Sequence, residues 1–253
     1  AATSVTCREH PRFTEDYGPF REITLSASCP AANALLLGSR EPLTFHTFET
    51  EEPEEEGDEW LPYLLSLRKR LLDILADRQL PLRRRLRDFL LLAQEAQPYL
   101  EEDWPEELPA LAVSWTLPET AGEGGDSLLF PYALRFLATL EVLDPDWPVL
   151  LKRAETAEPG TVPEELLERI AVYFAFRYLL KAVNDGDLLG RAELCVLAVL
   201  VIEKLASVCG LAEALRRFSC EIEHDDGNLE VLLEAFGEDG ALSPERFLAE
   251  LGR

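Results

Sequence analysis

Methionine is missing altogether from these 253 residues, and the chain does not begin with one. Both facts read as a piece of a longer polypeptide, or as a chain from which modified methionines have been left out. Basic side chains are scarce too: 24 lysines and arginines stand against 48 aspartates and glutamates, for a formal net charge of −24. A field of that sign repels a nucleic-acid backbone or an anionic membrane surface and attracts a lysine-rich protein, so no nucleic-acid partner is expected. No apolar run reaches the roughly 18 residues that a membrane-spanning helix needs, and membrane insertion is not expected either. The first residues carry no basic region followed by an apolar run, and the five cysteines are irregularly spaced, which excludes a visible secretory signal and a disulfide framework. The setting this implies is reducing and cytoplasmic. No G-x-G-x-x-G follows an expected strand and no G-x-x-x-x-G-K-[ST] occurs, which disfavours the doubly wound nucleotide-binding enzymes. GEGGD at 122–126 lies in a proline-rich stretch and reads as a flexible connection.

What is present is leucine at helical spacing, with 47% of the residues apolar. Up to residue 48 the texture is mixed: a short serine-rich piece from Ile23 to Ser28, a short helix from Pro30 to Gly38, then PLTFHTFET as a strand or an extended piece. The acidic run over 49–58, broken by Pro53, reads as an exposed linker. From 59 to 253 the grammar is helical. EWLPYLLSLRKRLLDILADR and LPLRRRLRDFLLLAQEAQ place apolar residues on one face and charges on the other, and RRRLR at 83–87 reads as a wet face. Residues 98–127 hold four prolines and read as loops. Seven further helical stretches follow, with Gly186, Gly210 and Gly237 as stops and Asp144, Asp226 and Ser243 as N-caps. ELCVLAVLVIEKLA, apolar all round, is the expected central helix. The fold class expected is all-α: a multi-helix globular body behind a short irregular N-terminal segment.

Three groups of residues could carry chemistry. Cys7, His10 and Cys29 have soft-ligand character; they are an incomplete metal set, a reactive group, or buried inert thiols, with the last the blander and favoured reading. Arg177 and Lys181 stand in an apolar helix, with Asp185, Asp187 and Arg191 after it; charges so embedded need partners, and an internal ion network or a polar pocket wall is expected. Glu221, Glu223, His224 and Asp225 cluster between helices, as a base, a ligand or simply a cap. Cys195, Cys209 and Cys220 read as small core or wall residues.

The ordered series TCREHPRF, YGPFREITLSASCPAANALLL, LAQEAQ, LEVLDPDWPVLLKRAE, FRYLLKAVNDGDLLGRAEL and RRFSCEIEHDDGNLEVLLEAF resembles the flagellin lysine N-methylase (FliB-type) family, from Cys7 to about Phe236. That resemblance implies a methyltransferase that moves a methyl group from S-adenosylmethionine to lysine side chains of flagellin and depends on a cysteine-bound [4Fe-4S] cluster. In such proteins a cysteine-rich segment precedes the part seen here, so residues 1–48 would be the remnant of a cluster-binding region. Cys7 and Cys29 match cluster cysteines, while Arg8 and Arg12 would stabilise an anionic cluster or a cofactor carboxylate. Ser4 stands where many relatives carry a cysteine. Only two of the usual four thiolates are therefore at matching positions, and this chain alone is expected to hold the cluster poorly. Since a lysine ammonium must lose a proton before it can attack a methyl sulfonium, carboxylates in a partly dry pocket are the expected base: Glu221 and Glu223, with Asp187 behind them and Arg177 orienting a carboxylate. Two alternatives are a non-catalytic helical docking module for a lysine-bearing partner, and a small zinc protein using Cys7, His10 and Cys29. The oligomeric state is not legible.

Overall fold

The computed structural model describes residues 10–50, 55–116, 129–158, 160–237 and 242–252. Cys7, Arg8 and the GEGGD loop lie outside these, as does the centre of the acidic run. The described residues form eleven α-helices and one small two-stranded sheet. At the centre is α8 (Leu188–Cys209), whose residues from Leu188 to Ile202 are nearly all buried, as its all-round apolar sequence requires. Packed around it are α3 (Leu82–Glu101), α6 (Trp147–Thr156), α7 (Glu164–Tyr178), α9 (Leu211–Phe218) and α10 (Asp226–Gly237). Farther out lie α2 (Leu61–Ala76), α4 (Leu108–Ser114), α5 (Leu129–Leu137) and α11 (Pro244–Leu251), with α1 (Pro30–Leu37) against α7 and α9.

Expectations for 98–127 are corrected in part. α3 runs through Pro98, which sits in its last turn; the ring forfeits one bond to the preceding turn, and the helix continues for only three residues beyond it. α4 has Pro109 at its second position, where proline's fixed φ suits a helix start. PLTFHTFET is extended and pairs with no strand; it is held by Phe45 stacking on Phe176 at 4.2 Å between ring centroids. Ser243 stands at the N-cap position as expected, whereas the N-cap of α6 is Asp146, two residues after Asp144.

The hairpin was not foreseen. β1 (Arg12–Asp16) pairs antiparallel with β2 (Arg21–Leu25), placing Phe13 opposite Thr24 and Glu15 opposite Glu22. These four residues are the half-buried ones, so they form the inner face of the pleat. Its turn needs Gly18, which has φ +87° and whose missing Cβ would stand 2.6 Å from the Glu56 carbonyl oxygen. Tyr17 and Phe20 of the turn pack on the core, and the strands are tied to the helices by charged groups. Arg68 of α2 grips Glu22 with two bonds of 2.7 and 2.5 Å, Lys181 pairs with Glu15, and the Arg177 guanidinium lies 3.3 Å from the centre of the Phe13 ring.

Two buried guanidinium clusters tie α7 to its neighbours. Glu168 accepts from Arg78 and from Arg85, whose Nη1 is 2.7 Å away, and this locks the α2–α3 turn. Arg169 donates to the carbonyls of Leu36 at 2.6 Å and Glu41 at 2.5 Å, satisfying the C-terminal end of α1, whose cap Gly38 keeps a right-handed conformation.

Candidate functional site

α9 does not stop at Phe218: it runs into one π-helical turn over Ser219–Glu223. The extra residue in that turn re-aims successive side chains, and π turns recur at functional sites for this reason. Here the consequence is that Glu221, Glu223 and His224 point to three different places. Glu221 is fully buried and accepts from the backbone N–H of Leu143 at 3.0 Å and Asp144 at 2.8 Å. Burial raises its pKa and these two bonds oppose the rise. It therefore pins the 143–144 loop.

Glu223, with 1% of its side chain exposed, enters the interior. Its Oε1 lies 3.1 Å from Nε of Arg177 and accepts from the Tyr178 hydroxyl at 3.1 Å, and the Tyr173 hydroxyl reaches both of its oxygens at 3.2 Å. The Arg177 N–H does not aim along the Nε···Oε1 line, so this contact is an ion pair rather than a directed hydrogen bond. Tyr173 is the hub: its oxygen also accepts from the Ala27 N–H at 3.2 Å and from Arg177 Nη1 at 3.4 Å. Burial, followed by the negative charge of Glu223, raises both tyrosine hydroxyls above their usual range, so they remain donors.

His224 faces outward with its Nε2 edge turned in, 2.6 Å from Ser28 Oγ and 2.8 Å from Ser26 Oγ. The two serine hydroxyls are 2.7 Å apart. The rings of His10 and Phe13 lie 5.9 and 5.6 Å from that of His224. Although more than a third of its surface meets solvent, desolvation of the inner edge lowers the His224 pKa; Glu223 opposes this, while His10 and Arg177 add to it. Neutral at pH 7, the ring can take a proton from a hydroxyl at its inner edge. These groups line an open cleft of about 420 Å³, with His10, Ser28, Cys220 and His224 facing the wall of Leu143, Asp144 and Glu221. Asp144 is paired with Arg217 and accepts from the Asp146 N–H, which keeps its carboxyl below the usual range. A cationic group, an ammonium or a sulfonium, suits a wall of this kind.

Of the residues expected to act together, the structure joins Arg177 with Glu223 and leaves Asp187 apart. Asp187 caps α8, accepting from Gly190 N–H at 2.8 Å and pairing with Arg191. The expected ion network thus splits into three, Arg177 with Glu223, Lys181 with Glu15, and Arg191 with Asp185 and Asp187. Glu223 as a free base is corrected by its ion pair and tyrosine donors, and Glu221 by its two backbone bonds. Arg177 meets the Glu223 carboxylate through a single ion pair, while the two-pronged grip on a carboxylate is made by Arg68 on Glu22. Arg12 is exposed at the start of β1. Ser26, Ser28 and Tyr173 were passed over; Tyr173 and Arg177, four apart on an otherwise apolar helix, were the available signal, since a buried hydroxyl needs a partner.

The donor set of the described residues, which exclude Cys7, does not by itself suit an iron–sulfur cluster. Among the described residues no three or more of His, Cys, Asp and Glu stand close enough to hold a metal ion. Cys195 is sealed inside α8, Cys209 ends that helix, and burial raises the Cys220 thiol pKa. Cys29, partly exposed at the start of α1, adjoins Ser28 at the cleft. In comparisons with protein-family models, curated proteins and solved structures, nothing matches the chain.

Proposed function

We propose that this chain forms the substrate-facing helical body of a protein-lysine N-methyltransferase of the flagellin methylase type. One observation carries the reading. Four of the segments on which the resemblance rests, scattered through the sequence, line a single cleft: His10 from TCREHPRF, Ser28 from LSASCP, Leu143 and Asp144 from LEVLDPDWP, and Cys220, Glu221 and His224 from SCEIEH, with Arg177 of FRYLL buried behind it against Glu223. S-adenosylmethionine, the donor in that reaction, would bring an electrophilic methyl sulfonium. The work left to the residues of this chain is to hold a lysine and take its proton. The carboxylate wall at Asp144 and Glu221 attracts the ammonium; Ser28 Oγ, 2.6 Å from His224 Nε2, passes a proton inward to the neutral ring and receives one from the lysine. Glu223 and Arg177 act behind, fixing the π turn through Tyr173 so that His224 keeps its aim.

The test uses the whole polypeptide, purified without oxygen, with S-adenosylmethionine and flagellin. His224→Gln and Ser28→Ala are expected to lower methyl transfer by about 10²-fold at pH 7 without loss of flagellin binding. An unchanged rate in His224→Gln removes the proton relay. Binding of flagellin without turnover by the intact wild type replaces the methylase with the docking module.

A further inference from the structure

A second concavity lies along α10. Its floor is the helical stripe Asp226, Leu229, Glu230, Leu233 and Glu234, at i, i+3, i+4, i+7 and i+8, and its rim is the Asp185–Asp187 loop. Its volume is about 420 Å³. This spacing is the one by which a helix buries a face against another helix; Leu229 and Leu233 pack against the core but are only half-buried, so each keeps an open edge toward the concavity. Five carboxylates line the concavity and no lysine or arginine does; the single cation bonded to its rim is Arg191, shared by Asp185 and Asp187. Asp226, Glu230 and Glu234 are exposed and make no ion pair with a lysine or arginine of the described residues. Beneath the rim the buried Glu193 has no hydrogen-bond partner for Oε1, and the charge of Asp187 acts on it.

We infer that this groove docks a basic amphipathic helical segment of a partner protein, whose leucine-type residues cover Leu229 and Leu233 while flanking lysines or arginines meet Asp226, Glu230 and Glu234. An apolar strip between carboxylates complements an apolar strip between cations, and a net charge of −24 steers such a partner in. Nothing in this depends on methyl transfer at the cleft; the groove would bind its partner even if the cleft turned over nothing.

The probe is a fluorescent 18-residue peptide with leucines at helical spacing and lysines on either side, titrated into the full chain by anisotropy. Three comparisons decide. A peptide of the same composition with the leucine stripe scrambled is expected to bind at least tenfold more weakly, and so is the striped peptide with glutamate in place of lysine. Glu230→Lys with Glu234→Lys is expected to weaken the striped peptide at least tenfold, whereas Glu106→Lys with Glu107→Lys, the same charge change on the exposed turn before α4, should weaken it less than threefold. Equal binding of striped and scrambled peptides overturns the inference, since charge alone would then explain it. So does equal weakening by the two double variants.

Discussion

Replacing Glu193 with glutamine tests whether the interior of this protein contains a carboxyl that folding forces to hold a proton. Glu193 lies in α8 with 1% of its surface exposed and no hydrogen-bond partner at Oε1. Burial first, then the charges of Asp187 and Glu245, push its pKa up to about 9 from 4.5. The folded state therefore keeps the proton at pH 7 and the unfolded chain gives it up. Because the folded pKa is the raised one, the stability this carboxyl contributes is complete below pH 4.5 and is lost as pH rises toward 9. At about 1.4 kcal/mol per pH unit, the loss is under 1 kcal/mol at pH 5 and at most about 5 kcal/mol at pH 8. Glutamine keeps the shape of the protonated acid and cannot ionise, so Glu193→Gln removes the loss. For a chain of this size roughly 2–4 °C of Tm accompanies each kcal/mol. Thermal unfolding of both proteins is expected to show a Tm gain of about 5 °C or more for the variant at pH 8 and within about 2 °C at pH 5. An equal gain at both pH values would make it a packing effect, and no gain at pH 8 would mean that Glu193 ionises in the native state; either result refutes the argument.

Glu223→Ala leaves the Arg177 guanidinium buried without its carboxylate and is expected to destabilise by about 3–5 kcal/mol, while Glu223→Leu combined with Arg177→Met should lose less than the single change; urea unfolding of the full double-mutant cycle measures both. His224 has a lowered folded pKa, so its contribution is present above pH 6.5 and lost as pH falls below it; His224→Gln is expected to flatten the slope of Tm against pH on that acid side. Asn228→Ala removes three bonds of 2.8 Å, two to Glu141 and one to the Glu221 carbonyl, and should cost about 1–3 kcal/mol by urea titration. High salt weakens the polar seam under the hairpin before the leucine core, so amide exchange in Arg12–Leu25 is expected to accelerate between 0.05 and 1 M salt, to roughly the extent that ion pairs are screened, while α8 stays protected.

The helices were legible because they obey one rule each. α8 is apolar all round and is central; α2 and α3 are striped and lie outside it. Pro98 misled because the packing of α3 against α8 outweighs the one bond that the proline forfeits, so composition read a helix end as a loop. The hairpin hid for a different reason: its inner residues are Phe13, Glu15, Glu22 and Thr24, and an inward face bearing two carboxylates does not show the apolar alternation by which strands are recognised. At the cleft, the sequence picked out Arg177, Glu221, Glu223 and His224 but could not assign their jobs. The π turn decides those, and no local pattern announces where a helix takes in an extra residue.

Asn228 has a further consequence. Its side chain bonds to both the N–H and the C=O of Glu141, as a neighbouring strand would, and also to the carbonyl of Glu221. It stands on α10 between Asp226 and Leu229, on the helix whose stripe floors the acidic groove, while its partners belong to the loop and the π turn that wall the histidine cleft. The two concavities therefore share a rigid partition. Were a molecule bound on one side to shift this partition and so change affinity on the other, thermodynamic reciprocity would require the same factor in both directions.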